Sequence, residues 1–199
     1  MSSIPFEPGA YYHIFNRGNN KENIFKEEKN YKYFLTKMAQ HLLNISNVYA
    51  YCLMSNHFHL VLEIKKLTEL PKEYQSGKKS LHQPFSNMFN AYTKAVNMAY
   101  GRTGSLFQEH LKRNVINDEN YLLDVITYVH LNPVKHGFNT DFKNYTHSSY
   151  QSIVSTGQTQ LERNAVIDLF GDKDNFEYCH KAQLYRLRNK LNEIEDIDW

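Results

Sequence analysis

The chain has 199 residues and a formal charge of +2, with 41% hydrophobic and 14% aromatic residues, 15 of them Tyr and 12 Phe. That length suits one domain of ordinary size plus an added C-terminal piece and allows a real buried core, and so small a charge does not by itself imply a nucleic-acid partner. Two distant cysteines, Cys52 and Cys179, exclude a disulfide framework and a zinc pattern and suit a reducing compartment.

The N-terminal MSSIPFEPGA lacks the charged and apolar regions of a signal peptide, and no apolar run reaches membrane-spanning length. The expectation is a soluble cytoplasmic protein without a membrane partner. Most of the aromatic residues belong to the core on this reading, although an aromatic on a polar surface can stack on bases. Lys65, Lys66, Lys72, Lys78 and Lys79 cluster in one polar connection, Arg102, Lys112 and Arg113 follow, and acidic residues collect in the terminal EIEDIDW.

YYHIFNR (11–17) alternates with a β period and stops at the turn cluster Gly18-Asn19-Asn20. KEEKNYKYFLTKMAQHLL then sets Tyr31, Phe34, Leu35, Met38 and Leu42 at helical spacing. VYAYCLM and HFHLVLEI are two strands divided by Ser55-Asn56, a tight hairpin connection. The run from Lys65 to Gln83 reads as a mobile loop. PFSNMFNAYTKAVNMAYG opens with Pro84 near a helix start, keeps Phe85, Met88, Phe89, Tyr92 and Val96 in register, and closes on Gly101. GSLFQEHLKRNVI reads as extended structure. In DENYLLDVITYVHLNPVKHG, Asp118 is the N-cap of a helix predicted to end near Asn132, before Pro133.

The order β, α, β, β, α, β, α predicts an α+β fold, a ferredoxin-like antiparallel sheet packed by helices with one helix added. The catalytic domain is expected to span 1–150. Residues 151–199 form a helical C-terminal extension rather than a second catalytic domain.

Alternation along the strand puts His57 and His59 on one face and Phe58, Leu60 and Leu62 on the other. The apolar row can pack on helices while the imidazoles stand on an exposed face and share one divalent cation. Histidine is a poor choice for a strand centre unless its nitrogens have partners. Glu63 alternates onto the same face, either as a further ligand or orienting group or as a solvated strand-end carboxylate. In the later helix, Tyr128 and Asn132 lie four residues apart on one face. A phenol beside a metal-ligating amide suits phosphodiester chemistry, with the phenol as covalent nucleophile. Each also has a plain structural reading, Tyr128 as an ordinary aromatic and Asn132 as a helix end.

The blocks YYHIFNRGNNKENIF, YCLMSNHFHLVLE, GRTGSLFQEHLKRNVI, NYLLDVITYVHLNPVKHGF and YTHSSYQS, in this order over residues 8 to 152, resemble the single-tyrosine HUH transposases (IS200-like). Within them they are most similar to the REP-associated tyrosine transposase branch. The resemblance implies a ferredoxin-like catalytic domain that acts on single-stranded or hairpin DNA with Mg²⁺ or Mn²⁺. His57 and His59 match the family's metal-binding pair, Tyr128 its nucleophile and Asn132 its third polar ligand. Insertion-sequence relatives tend to carry Gln there, so Asn132 fits the REP-associated branch. Arg17, His110, Lys112 and Arg113 are candidate DNA contacts, with ordinary surface charge as the other reading. The family includes both dimers and monomers, which leaves the oligomeric state open.

The implied activity is DNA transposition through nicking and strand transfer, with a 5′-phosphotyrosine intermediate. A ferredoxin-like nucleic-acid-binding module, a domesticated transposase without catalysis, is the alternative. A metallohydrolase of small phosphoesters would not need Tyr128.

Overall fold

The computed structural model describes residues 4–193. The elements follow in the order β1 (Tyr11–Arg17), α1 (Glu28–Leu42), β2 (Ser46–Met54), β3 (His57–Ile64), α2 (Lys72–Gln75), α3 (Gln83–Tyr100), β4 (Lys112–Ile116) and α4 (Glu119–Lys135). Then come α5 (Tyr150–Val154), α6 (Arg163–Leu169) and α7 (Lys173–Glu193). The strands pair antiparallel in the order β2-β3-β1-β4. This is the ferredoxin-like arrangement that the element order predicts.

Alternation divides the sheet between two apolar layers. On one face Ile14 of β1 and Phe58, Leu60 and Leu62 of β3 pack against Phe34 and Met38 of α1 and Phe85, Met88 and Tyr92 of α3. On the other, Ala50, Cys52 and Met54 of β2 and Val61 of β3 meet Val125, Ile126 and Val129 of α4. A bulge between Val48 and Ala50 turns Tyr49 and Ala50 to that same second layer.

α5, α6 and α7 add Tyr150, Ile153, Val166, Phe170 and Phe176 to the second layer. The segment before α5 also lines the β2 edge, with the Leu53 N–H donating to His147 O and the Ser149 N–H to Tyr51 O, both at 2.9 Å. An otherwise open strand edge is thereby covered. The acidic end of the chain lies outside the described residues from 194 onward.

Four expectations change. The run 65–83 is not a plain loop: it holds a 3-10 turn (Leu67–Glu69) and α2, anchored by buried Leu70. Of GSLFQEHLKRNVI only Lys112–Ile116 is strand, because His110 adopts a positive φ of 65° that breaks the extension. α4 continues through Pro133 to Lys135. Proline removes one N–H, but the turn that follows closes through His136 N–H to Asn132 O (3.0 Å) and Phe138 N–H to Pro133 O (2.8 Å). The face carrying the two histidines is not exposed, because α4 crosses it.

Candidate active site

The β2–β3 turn presents His57 immediately after Asn56, and the segment that follows β1 fixes that turn. The Gly18 N–H donates to Asn56 O at 2.8 Å and the Phe25 N–H to Ser55 O at 2.9 Å. Gly18 is required there, since a Cβ would lie 1.9 Å from the Glu22 carbonyl oxygen. The His57 and His59 rings stand 5.4 Å apart, nearly perpendicular at 84°. His57 Nδ1 lies 2.5 Å from Asn56 Oδ1. The amide oxygen can only accept, so Nδ1 carries the proton and Nε2 keeps the lone pair. His59 is 7% exposed, and its Nδ1 is 2.8 Å from His13 Nε2 on β1. Burial lowers the pKa of His57 to about 4, helped by the positive charges of His136 and Arg17. His13 is likewise lowered to about 4 by burial, and burial above all holds His59 well below its ordinary value. All three are therefore neutral near pH 7, the form that ligates metals.

α4 supplies the facing groups. It starts at Asp118, whose carboxylate accepts from the Tyr121 N–H at 2.8 Å. Two turns on, the Tyr128 ring stands edge-on to His59 at 5.8 Å and to His13 at 6.0 Å. Lys135 Nζ lies 4.8 Å from the centre of the Tyr128 ring, and His136 stands 5.1 Å from His57. Asn132 is fully buried. Its Nδ2 donates to Tyr128 O at 2.9 Å, while its Oδ1 is enclosed with no hydrogen-bond partner among the described residues.

Tyr128 divides two cavities. One of about 430 Å³ lies on the His57 side and is lined by Arg17, Asn56, His59, Lys112, His136 and Phe138 among others. The second, about 410 Å³, lies on the His13 side with Asn114, Tyr121, Asp124 and Gln183.

The structure thus brings His57, His59, Tyr128, Arg17 and Lys112 to one place, with Asn132 one turn along α4 from the tyrosine. It does not bring the other candidates there. Glu63 lies four residues beyond His59, about 13 Å along the strand, and accepts hydrogen bonds from Asn47 and Tyr49. Arg113 is on the opposite sheet face, 8% exposed, donating to Ile4 O with its guanidinium 4.2 Å over Phe6. His110 lines a different cleft beside α3. Sequence reasoning missed His13, Asn56, Lys135 and His136. Only His13 left a signal, since it alternates in YYHIFNR as His57 and His59 do in theirs.

The two neutral imidazoles are of the type that ligates a divalent cation. No three His, Cys, Asp or Glu side chains among the described residues are placed to hold a metal; the Asn132 amide, one helical turn beyond Tyr128, is the candidate third donor. Its buried, unpartnered oxygen is the atom that a cation would satisfy. Two imidazoles and one carbonyl suit Mn²⁺ or, with water, Mg²⁺.

Residues 8–132 match the family model described as "Transposase IS200 like", and the chain belongs to that family of transposases. Its fold is also that of a solved protein described as "Structure of the REP associates tyrosine transposase bound to a REP hairpin", with 13% sequence identity and a TM-score of 0.59 over 80% of this chain and 87% of that one. No curated protein sequence matches.

Proposed function

We propose that this transposase nicks and rejoins single-stranded DNA beside a hairpin, using Tyr128 as a covalent nucleophile and Mg²⁺ or Mn²⁺ held by His57, His59 and Asn132. The observation that carries this reading is the buried Asn132 oxygen, without a partner among the described residues, one helical turn from a tyrosine packed edge-on against His59. The hairpin comes from the fold relative, which is described as bound to one. Two free cysteines suit a reducing cytoplasm.

When bound, the cation supplies a positive centre that polarises the scissile phosphate and offsets charge developing on it. The protein does the rest. Tyr128 Oη forms a bond to phosphorus as the bond to the 3′ oxygen breaks, leaving a 5′-phosphotyrosine and a free 3′-hydroxyl. The phenolic proton leaves Tyr128 and one proton is gained by the departing 3′ oxygen, so the step is proton-neutral overall. Attack by a 3′-hydroxyl on the tyrosyl phosphate reverses it and reseals or transfers the strand, which is why no nucleotide cofactor is needed. Arg17 and Lys112 line the same cavity and can pair with backbone phosphates. Lys135, beside the Tyr128 ring, adds positive charge where the phosphate must approach.

The test is incubation with end-labelled hairpin DNA carrying single-stranded flanks, with Mn²⁺ or EDTA, followed by denaturing electrophoresis. A metal-dependent protein–DNA band that disappears in Tyr128→Phe is the expected result. Tight binding with no band would favour the non-catalytic DNA-binding module. Cleavage that survives Tyr128→Phe would favour the hydrolase.

A further inference from the structure

The proposed ligand set leaves His13 unused, although it is the most intimate partner of His59. Register places His13 opposite Val61 and Phe15 opposite His59, so the two histidines are diagonal neighbours on one face, within reach of each other. Each is 7% exposed, their rings stack 5.0 Å apart at 22°, and the His13 Nε2 to His59 Nδ1 distance is 2.8 Å. A hydrogen bond between two neutral imidazoles needs one N–H and one lone pair. Two arrangements satisfy it, and they differ in what they leave at the far nitrogen of His59. If His13 donates, the His59 proton sits on Nε2 and that nitrogen cannot ligate. If His59 donates, Nε2 carries a lone pair. Asn56 imposes this second state on His57, because an amide oxygen only accepts.

We propose that His13 is a positioning residue for His59: it accepts from the His59 Nδ1–H, holding the ring in place and in the tautomer whose Nε2 can bind a divalent cation. The inference rests on the reading of His59 as a ligand. His13 acts through His59 and touches neither cation nor DNA in this role. A ligating histidine commonly donates its other N–H to an oxygen acceptor, and loss of such a partner costs about 10- to 100-fold in metal affinity. Here the acceptor is another imidazole, supplied by the neighbouring strand.

The experiment uses the full chain carrying Tyr128→Phe, so that no chemistry intervenes, and titrates Mn²⁺ by electron paramagnetic resonance. His59→Ala is expected to abolish the site. His13→Leu is expected to weaken binding by about 10- to 100-fold. His13→Gln, whose side-chain oxygen can accept, is expected to recover most of that loss. Long-range ¹H–¹⁵N spectra of the metal-free protein are expected to show His59 protonated at Nδ1, a readout independent of metal and of both His13 variants. Thermal unfolding of each variant verifies that it is folded, and should His13→Leu not fold, His13→Gln and the spectra still decide.

Mn²⁺ affinity unchanged in His13→Leu, while His59→Ala abolishes the site, would overturn the role of His13 and leave the ligand reading intact. Binding as weak in His13→Gln as in His13→Leu would overturn the acceptor role. A proton on His59 Nε2 in the metal-free protein would do the same. Mn²⁺ binding unaffected by His59→Ala would overturn the ligand reading, and this inference with it.

Discussion

Tyr128 and Asn132 share one helical turn but not one environment. The tyrosine is half-buried between two cavities, whereas the asparagine is buried with one amide end bonded and the other without a partner among the described residues. Replacing Asn132 by Leu, of similar volume, removes the unpartnered oxygen and also the Nδ2 bond to Tyr128 O. The expected outcome is a protein that stays folded but forms the DNA adduct about 10²- to 10³-fold more slowly, the usual cost of losing one preorganised electrostatic group. Quenched-flow sampling of the adduct band measures it. Lys135→Met, which keeps the length of the side chain and removes its charge beside the Tyr128 ring, is expected to slow the adduct by about two- to fivefold, in line with about 0.5–1 kcal/mol for an exposed cation beside a ring. The placement of these side chains was partly legible beforehand. Period-2 alternation puts His57 and His59 on one face and helical spacing puts Tyr128 and Asn132 on another, while their candidate roles come from the family resemblance. The His13 contact was not legible, because its partner lies 46 residues away and only strand pairing brings the two together.

At the scale of elements, α4 is held by a buried relay that its sequence does not announce. His180 Nδ1 donates to Phe176 O (2.7 Å), so its Nε2 accepts from His130 Nδ1 at 2.9 Å. His130 Nε2 then accepts from the Ser149 hydroxyl at 2.7 Å. Ser149 Oγ in turn accepts the Tyr51 N–H at 2.8 Å. The chain of bonds ties α7, α4 and the β2 edge together on the side of α4 away from Tyr128. His130→Ala leaves the His180 Nε2 lone pair without a donor, takes one partner from the Ser149 hydroxyl and opens a cavity, and is expected to lower stability by about 2–4 kcal/mol, read from urea unfolding. The relay also sets an acid limit. Burial, the largest cause, lowers the folded pKa of His180 from 6.5 to about 4, with the Phe176 carbonyl and Glu177 opposing that and Lys143 adding to it. His130 is held well below its ordinary value, first by burial and then by His180. The unfolded chain therefore takes up protons before the folded one does, and stability must fall as pH drops. The expected melting temperature is level above about pH 6.5 and declines from there toward pH 4. A flat profile through that window would contradict the relay. In the sequence His130 is one histidine on an apolar helix, and nothing near it points to His180.

For the whole molecule, the element order was enough to predict the ferredoxin-like sheet, since each strand and long helix carries its own periodicity. The place of residues 151–199 was not, because α5 to α7 are short or weakly patterned and their role depends on what they cover. They bury Val166, Phe170 and Phe176 against the same layer as α4. We therefore propose that this extension is part of the catalytic fold and not an independent appendage. A chain ending at residue 150 is expected to lose cooperative unfolding and expose apolar surface, which dye binding would report. A fully cooperative, active truncation would contradict this.

The central claim concerns one hydroxyl among 15 tyrosines. Its most direct test is to form the adduct with hairpin DNA and Mn²⁺, digest the DNA and protein, and locate the nucleotide-bearing peptide by tandem mass spectrometry. The expected result is a 5′-nucleotide attached to Tyr128 alone. Attachment at any other residue would contradict the account.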